Sequence, residues 1–430
     1  MKKLNRILIL AYILLDFAIA QCLGDLNSNY HIEETDLNIF SNYLLLNNDT
    51  ILNNADFDYN NSLDIIDLTL IADAISNGIE WCEFDNVDLS VEWEEQENFS
   101  YYDDQELESI LNDEINNLPD IRGLIVIHRG KVVGEKYYNN SNISQNFNIW
   151  SVTKSYISSL VGQAIDMGYI SDEGIMLNEI FVDNNYTNQV SIEHLLTMSS
   201  GWPENWSYMN TNNVLNTLLS TPLINTPGST FFYNNAACHI NSHIINTMTN
   251  INPKEFAMEY LFPHLGIDNP NWTSDADGIS NGSYGLYLTL REMVKLGQLY
   301  LQNGKSEELQ VLSPEWIHKA TSTQINPGGG GYGYLWWLME NGYLALGLGG
   351  QIIAVFPNQQ LVIGAHSYTY SNNNHFNSLM DLIFSMIFPI FDISTANRGE
   401  TLSSKSIYEG NKNTFSFIKL GSYQVEQKAK

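Results

Sequence analysis

From about residue 106 onward, short apolar runs alternate with stretches in which apolar residues recur at helical spacing. The run IRGLIVIHRGKVVGEKYY, residues 121–138, has two β-rich segments around His128-Arg129-Gly130 and predicts a β-hairpin. The run GQIIAVFPNQQLVIGAHSY, residues 350–368, has two strand-like segments around PNQQ and predicts a second hairpin. Between them, SVTKSYISSLVGQAIDMG predicts a helix that ends at Gly168. Strands and helices are therefore mixed in one region of the chain.

The first residues, MKKLNRILILAYILLDFAIAQ, combine a basic start with a short apolar run. The small-residue pattern at Ala18 and Ala20 predicts a secretory signal over residues 1–20, cleaved after Ala20. An uncleaved anchor is the alternative, but the run is short for a span. Cys22 just past the cut leaves a lipid anchor open, although Gln21 is not the small residue usual before such a site. We expect a secreted, periplasmic or cell-surface protein with no membrane span after cleavage.

Two acidic segments follow, GDLNSNYHIEETD and ADFDYNNSLDIID, offset by 31 residues. Each places oxygen-bearing side chains at alternate positions, as a loop around a calcium ion requires, and each runs into a short apolar helix candidate. The predicted calcium ligands are Asp25, Asn27, Asn29, Asp36, Asp56, Asp58, Asn60, Asp64 and Asp67. The pair resembles a type I dockerin, which implies a cohesin-type protein partner. A solvated acidic linker is the alternative interpretation. Tyr30 at the bend of the first loop makes the second site the better candidate, because tyrosine disfavours a left-handed backbone.

The composition of the chain bears on the size of its core, its partners and its cysteine pairing. The chain has 430 residues, 44% of them apolar, so it can bury a large core. Asp and Glu number 49 against 19 Lys and Arg, a net charge of −30, which argues against nucleic acid as a partner. Cys22, Cys82 and Cys238 form no disulfide framework, and a Cys82–Cys238 bridge and free thiols are equally open.

Ser151 and Lys154 lie three residues apart at the head of the predicted helix, so they share one face of it. Burial and the positive end of the helix both favour a neutral lysine, which can take the proton of a serine hydroxyl. The alternative is a helix start with an incidental lysine. Two rival motifs lack the required context: Ser416-x-x-Lys419 lies in a strand-like tail, and Gly278-x-Ser280-x-Gly282 follows a polar loop where a nucleophile elbow follows a strand.

Tyr233 and Asn235 follow a Pro-Gly turn and precede an apolar helix. The tyrosine hydroxyl is a candidate proton relay, and Asn235 is a candidate group for holding Lys154 and a substrate carbonyl. Taken alone, these residues fit a core tyrosine and a helix cap at least as well. Downstream, Gly347, Gly349 and Gly350 permit close approach of a ligand to the strand that follows. The N–H groups of Gln351 and Ser151 are the candidate oxyanion donors.

Taken in order, Ser151-x-x-Lys154, Tyr233-x-Asn235 and Leu348-Gly349-Gly350 resemble the class C β-lactamase and penicillin-binding-protein superfamily. Segments such as SIEHLLTMSSGW and YGYLWWL are also similar to that family. The resemblance implies an α+β fold, with an antiparallel sheet flanked by helices and a helical subdomain, behind a small all-α dockerin-like module. It implies Ser151 as nucleophile, Lys154 as base, Tyr233 as relay and Asn235 as orienting group, with no cofactor for catalysis. The predicted organisation is signal 1–20, dockerin-like module 24–78, linker 79–105, hydrolase domain 106–395 and tail 396–430.

Leu348 departs from the family, which often has Lys or His there to meet a substrate carboxylate. A small ester or amide is therefore the favoured substrate, as in esterases and aminohexanoate-dimer hydrolases. A β-lactamase or D-alanyl-D-alanine carboxypeptidase is the alternative, and an inactive binding protein docked to a cohesin is the second alternative. Two groups remain to be placed. The tryptophans at 202, 206, 336 and 337 line an apolar pocket or pack in the core, and the histidines at 194, 239, 243 and 264 are expected to be structural.

Overall fold

The computed structural model describes most of the chain beyond residue 85. The described ranges are 86–95, 104–182, 189–205, 207–328, 330–339, 341–368 and 373–391, together with residues 37–41, 44, 65, 68, 69 and 72. The predicted signal, the calcium ligands of both acidic loops, Trp206 and the tail 396–430 lie outside these residues. The described residues 37–41, 44, 65, 68, 69 and 72 are helical, and the dockerin-like module stays a prediction.

The chain divides into two compact units, residues 1–85 with 394–400 and residues 86–393 with 401–430. The second unit contains the candidate catalytic residues. Its main sheet has seven strands in the order β2-β1-β11-β10-β9-β8-β7, and each neighbouring pair with a defined register is antiparallel. These strands are β1 (Ile121–His128), β2 (Lys131–Tyr137), β7 (Gly331–Tyr332), β8 (Trp337–Met339), β9 (Gly342–Gly347), β10 (Gln351–Phe356) and β11 (Leu361–Ser367). Two-stranded pairs are β3 (Phe147–Asn148) with β4 (Tyr287–Leu288), and β5 (Lys305–Ser306) with β6 (Leu309–Gln310).

Both predicted hairpins are present. The first turns at Arg129 and Gly130, whose φ angles of 52° and 75° fit the tight turn that joins twisted antiparallel strands. The second joins β10 to β11 through the 3₁₀ turn Pro357–Gln359. β9, which precedes the glycine turn, is a further strand that the sequence pattern did not separate from β10.

The helices of this unit lie around the sheet and in a helical region between β3 and β7. They are α1 (Asp104–Ser109), α2 (Thr153–Asp166), α3 (Leu177–Ile180), α4 (Ile192–Leu196), α5 (Val214–Leu219), α6 (Asn235–Thr249), α7 (Pro253–Tyr260), α8 (Leu290–Leu301), α9 (Pro314–Ala320), α10 (Asn373–Leu382) and α11 (Phe388–Phe391). The predicted helix after Ser151 corresponds to α2, and Gly168, at φ 75°, ends it as expected. None of the helices in the described ranges has the length and apolar character of a membrane span.

The central strands are buried on both faces, because helices cover each side. A Cβ placed at Gly297 of α8 would lie 2.5 Å from Ile353 of β10, so α8 packs directly on that face. On the opposite face, the Phe356 ring contacts Phe384, in the π turn after α10, at 5.6 Å between centroids. β10 therefore has an apolar residue at nearly every position, where a half-exposed strand would alternate. The α+β class is confirmed.

Part of the predicted linker belongs to the folded unit. Leu89 and Trp93 are buried, and the Leu89 N–H donates to Ser306 Oγ at 2.8 Å. The Arg291 guanidinium forms a bidentate pair with Glu135 and a further ion pair with Glu95 at 3.2 Å. The acidic and aromatic mixture of this segment carries no periodicity, because its partners come from α8 and β2, far along the chain.

Candidate active site

Ser151 lies in the 3₁₀ turn Trp150–Val152, directly before α2. The preceding residue, Trp150, has a φ of 47°, which a bulky side chain seldom adopts. The Trp150 N–H donates to Asn148 Oδ1 at 2.9 Å, and the Ile149 N–H donates to the Leu286 carbonyl at 2.9 Å. These contacts hold a strained backbone next to the serine, and strain of this kind is concentrated at functional sites.

Lys154 is 2% exposed and has three oxygen partners. Its Nζ lies 2.8 Å from each of Ser151 Oγ, Asn235 Oδ1 and the Ser283 carbonyl oxygen. Two of these partners, an amide oxygen and a backbone carbonyl, can only accept hydrogen bonds. A lysine amine that has lost its proton has two N–H groups and one lone pair, so with its N–H groups on the two acceptors its lone pair would face the Ser151 hydroxyl. After proton transfer, the third N–H points at Ser151 Oγ, and none of the partners needs to move.

The two asparagines at the start of α6 have different partners. Asn234 is the N-cap, because its Oδ1 accepts from the Ala237 N–H at 2.8 Å and its Nδ2 donates to the Trp202 carbonyl. Asn235 is the first helical residue, and its side chain reaches Lys154. The capping alternative is thus satisfied by Asn234, and the Asn235 amide is left to contact the lysine.

Tyr233 contributes its ring to the site. The ring centroid lies 4.9 Å from Lys154 Nζ, within the range of a cation–π interaction. The Tyr233 ring also stacks with Trp337, at 6.0 Å between centroids and 15° between planes. Among the described residues the Tyr233 hydroxyl makes no hydrogen bond, so its relay role stays a prediction.

The third motif lies in the turn between β9 and β10. Leu348, Gly349 and Gly350 form this turn, and the two glycines have φ angles of 86° and 95°. A Cβ on Gly347 would overlap the Ile149 carbonyl oxygen, so the end of β9 approaches the backbone just before Ser151. Gln351 pairs with Gly347 in the sheet, and its buried side chain donates to the Ser367 carbonyl at 2.5 Å. The predicted oxyanion donor is the backbone N–H of Gln351 and not this side chain.

Two further residues of the site, Ser283 and Glu204, were not predicted from the sequence. Ser283 presents its carbonyl to Lys154, while its Oγ donates to the Asn235 carbonyl at 2.5 Å. Glu204 accepts hydrogen bonds from the N–H and the side-chain amide of Asn235. Burial raises the pKa of Glu204, and its hydrogen bonds from backbone N–H groups oppose that rise. The only sequence signal for Glu204 is its place as an acidic residue between two tryptophans, and its spacing does not connect it to Lys154.

The other candidates from the sequence are structural. Ser280, of the rival Gly-x-Ser-x-Gly motif, is 2% exposed and donates to Asn252 Oδ1 at 2.5 Å. Trp202 and Trp336 are buried in the core, which leaves Trp337 as the described tryptophan beside Tyr233. Cys238 is a buried free thiol in the described part of the chain, and its pKa is raised to about 11 by burial.

His239 and His243, one turn apart on α6, meet Asp275 in a buried cluster whose ligand-type atoms lie within 4.8 Å of one another. Histidine and carboxylate groups are metal ligands, but the hydrogen bonds oppose that use. The Gly282 N–H donates to His239 Nδ1 at 3.1 Å, so the proton of the neutral ring is on Nε2, which donates to Asp275 Oδ2 at 2.8 Å. A metal on Nε2 would require a proton on Nδ1, facing the Gly282 N–H. The cluster therefore anchors the loop that carries Ser283.

This cluster predicts a pH dependence of stability. Burial is the main cause that lowers the pKa of His239 from 6.5 to about 4. The unfolded chain binds the proton first as pH falls, so the contribution is complete above pH 6.5 and is lost towards pH 4. At about 1.4 kcal/mol per pKa unit, this residue accounts for about 3 kcal/mol.

The test is His239→Gln, which keeps one acceptor and one donor but removes the titration. Urea unfolding at several pH values should show a free energy of unfolding that falls less steeply between pH 6.5 and 4 in the variant than in the wild type. Equal slopes would contradict the assignment.

The fold and the Ser151–Lys154 pair define a serine hydrolase of the Ser-x-x-Lys class. A family model described as β-lactamase matches residues 111–383. The chain belongs to the β-lactamase family.

The chain is also similar to the following proteins. An uncharacterised protein of Alkalihalophilus pseudofirmus is 22% identical over 308 residues, which cover 60% of this chain and 87% of that protein. A provisionally assigned 6-aminohexanoate-dimer hydrolase from Bacillus anthracis has a similar structure, with a TM-score of 0.58, 21% identity, and coverage of 71% of this chain and 89% of its own. The hydrolase EstCE1, which has promiscuous acyltransferase activity, gives a TM-score of 0.53, 15% identity, and coverage of 65% and 99%. At these identities the likeness establishes the shared fold.

Proposed function

We propose that this protein hydrolyses an ester or a small amide through an acyl-enzyme on Ser151. The carrying observation is the set of three 2.8 Å contacts of Lys154, because it aims the lone pair of a neutral amine at the Ser151 hydroxyl. The same three oxygens accept from the ammonium group that forms, so proton transfer needs no rearrangement. The contact with Ser151 Oγ distinguishes Lys154 from a buried structural lysine such as Lys295, whose Nζ donates to the Val91 carbonyl.

In the proposed reaction, Ser151 Oγ attacks the substrate carbonyl carbon while its proton passes to Lys154 Nζ. The tetrahedral intermediate collapses, the C–O or C–N bond to the leaving group breaks, and the proton reaches the leaving group from Lys154, with Tyr233 as the proposed relay. Water then attacks the acyl carbon and gives a proton to Lys154, the bond between that carbon and Ser151 Oγ breaks, and Lys154 returns the proton to Oγ as the acid is released. The N–H groups of Ser151 and Gln351 are the proposed donors to the oxyanion. No cofactor is required for these steps.

The preference for uncharged substrates rests on Leu348. This residue stands in the β9–β10 turn, at the position where the family often has a cation for a substrate carboxylate. The fold is shared with a provisionally assigned aminohexanoate-dimer hydrolase, with the hydrolase EstCE1 and with a provisionally assigned β-lactamase from Bacteroides dorei, so fold does not decide among them. A β-lactamase is the second candidate, supported by the family match. An inactive binding protein is disfavoured because the Ser151–Lys154 contact is intact.

The experiment that tests the proposal compares a short-chain nitrophenyl ester with a chromogenic cephalosporin, each with wild-type protein. Turnover of the ester with little turnover of the cephalosporin supports the proposal. The opposite preference would favour the β-lactamase. Failure to turn over either, together with no labelling of Ser151 by a serine-directed phosphonate, would favour the binding protein. The secretory signal, the calcium-binding module and a cohesin-type partner stay predictions from the sequence.

Leu348→Lys is expected to shift specificity towards substrates with a carboxylate. A lysine there supplies a charge-assisted hydrogen bond, so kcat/KM for the cephalosporin should rise about tenfold, the equivalent of about 1.4 kcal/mol. Leu348→Met is the matched control, because it keeps an apolar side chain and should leave the ratio of cephalosporin to ester turnover unchanged. An equal ratio in both variants would show that this position does not meet the substrate carboxylate.

A further inference from the structure

Glu204 lies outside all three sequence motifs, in the loop between α4 and α5. Its carboxylate accepts four hydrogen bonds. Oε2 accepts from the Asn235 N–H at 2.6 Å and from Asn235 Nδ2 at 3.3 Å. Oε1 accepts from the Asn205 N–H at 2.9 Å and from the Ala236 N–H at 3.3 Å. The N–H groups of Asn235 and Ala236 belong to the first turn of the 15-residue helix α6, where a negative charge is stabilising.

The contact with Asn235 decides which way the asparagine amide faces. An amide has an acceptor oxygen and a donor nitrogen of nearly equal size, so either orientation fits the same space. A carboxylate can only accept, and it therefore requires Nδ2 on its own side. Asn235 Oδ1 is then turned towards Lys154, at 2.8 Å. The reversed amide would aim N–H groups at Lys154 and remove one of its two fixed acceptors.

Glu204 itself is not among the hydrogen-bond partners of Lys154. Asn235 stands between them, with Nδ2 on Glu204 and Oδ1 on the lysine, so the carboxylate acts through the amide. The Ser283 hydroxyl holds the other end of the same residue by donating to the Asn235 carbonyl. The backbone and side chain of Asn235 are thus fixed from two sides, and the side-chain orientation depends on Glu204.

We propose that Glu204 is a positioning residue of the active site: it orients the Asn235 amide so that Lys154 keeps a lone pair on Ser151. The inference rests on the proposed function, because it assigns Lys154 as the base. Because Glu204 and Lys154 occupy both polar ends of the Asn235 amide, the expected effect is on the chemical step and not on the predicted contact of Asn235 with a substrate carbonyl. Loss of the carboxylate should therefore lower kcat and leave KM nearly unchanged.

Glu204→Gln is the direct test, because it keeps the shape and removes the acceptor-only character. Whichever way the glutamine amide faces, its NH₂ group meets N–H donors: those of Asn235 on one side, or those of Asn205 and Ala236 on the other. We expect kcat for the nitrophenyl ester to fall about 30-fold and KM to stay within about twofold. Glu204→Asp, which remains a carboxylate, should recover at least part of that loss.

Asp277→Asn is the matched control. The Asp277 carboxylate also accepts N–H groups at a helix start, from Asn213 at 2.9 Å and Val214 at 2.6 Å, but it contacts neither Lys154 nor Asn235. Both variants should lower the melting temperature, and only Glu204→Gln should lower kcat.

Equal kcat in wild type and Glu204→Gln, with Ser151 of both labelled by the phosphonate, would overturn the positioning role and leave the hydrolase proposal intact. A loss of kcat in Asp277→Asn as large as in Glu204→Gln would also overturn it, since stability alone would then explain the effect. Absence of both labelling and turnover in the wild type would overturn the proposed function, and the role of Glu204 with it.

Discussion

Ser151→Ala is expected to lower kcat/KM for a short-chain nitrophenyl ester by at least about 10⁴-fold. Removing the nucleophile of a serine hydrolase eliminates the acyl-enzyme and leaves only the contribution of binding and the oxyanion donors. The same variant should lose covalent labelling by a serine-directed phosphonate, seen as the absence of the mass increase on the peptide that contains residue 151. The fold should be retained, because Ser151 is partly exposed in a turn and lies outside the buried core.

Ser280→Ala provides the control for this experiment. Ser280 lies in the rival Gly-x-Ser-x-Gly motif, and its hydroxyl is buried against Asn252. Its loss should cost about 1 kcal/mol of stability, the usual contribution of one hydrogen bond, and leave ester turnover within about twofold. Activity retained in Ser151→Ala, or lost in Ser280→Ala, would show that the nucleophile is misassigned.

Lys154→Met is expected to lower kcat by about 10³-fold, the scale of a missing general base. Methionine keeps the length of the side chain and removes the amine, so Ser151 has no group to take its proton. Lys154→Arg separates basicity from charge, because a guanidinium keeps the positive charge and does not deprotonate in proteins. Both variants should therefore be inactive, and the rate of phosphonate labelling should fall with kcat.

Lys295→Met is the matched control, since Lys295 is another buried lysine of the same unit. It is 5% exposed, and its Nζ donates to the Val91 carbonyl at 2.8 Å. Burial lowers the pKa of Lys295, and the negative charges of Glu92, Glu292 and Asp88 oppose that change. Lys295 is therefore a buried amine that has no contact with Ser151. The control should lose stability and keep ester turnover. Appreciable activity in Lys154→Arg would mean that the lysine supplies charge and another group takes the proton.

Two carboxylates that do not contact Ser151, those of Glu204 and Asp275, hold the residues around Lys154 in place. Glu204 fixes Asn235, and Asp275 acts through His239 to fix the Gly282 N–H next to Ser283. A lysine base needs a fixed hydrogen-bond acceptor for each of the two N–H groups that do not take part in proton transfer. Carboxylates that accept several hydrogen bonds supply that rigidity. The stability of this region should therefore be sensitive to acid through His239, whose pKa is lowered by burial.

The α+β class, both hairpins, α2 and the Ser151–Lys154 contact were all accessible from the sequence. In each case the partners are close in the chain: residues three apart at a helix start must share a face, and alternating apolar runs around a short turn must pair. The motif order added Tyr233 and Asn235, and the structure brings both to Lys154. Family resemblance supplied that link, because Asn235 is 81 residues from Lys154 and no periodicity connects them.

Tertiary structure alone decided the rest. Ser283 reaches Lys154 across 129 residues, Glu204 reaches Asn235 across 31, and the segment 86–95 packs against α8 nearly 200 residues away. A backbone carbonyl has no sequence signature. The sequence around a loop glutamate does not show whether its carboxylate is solvated or accepts hydrogen bonds from the protein. Sequence thus determined the proposed reacting pair, Ser151 and Lys154, because helix geometry sets their distance. Only the packing of distant loops decided which oxygens hold the lysine and which carboxylate orients them.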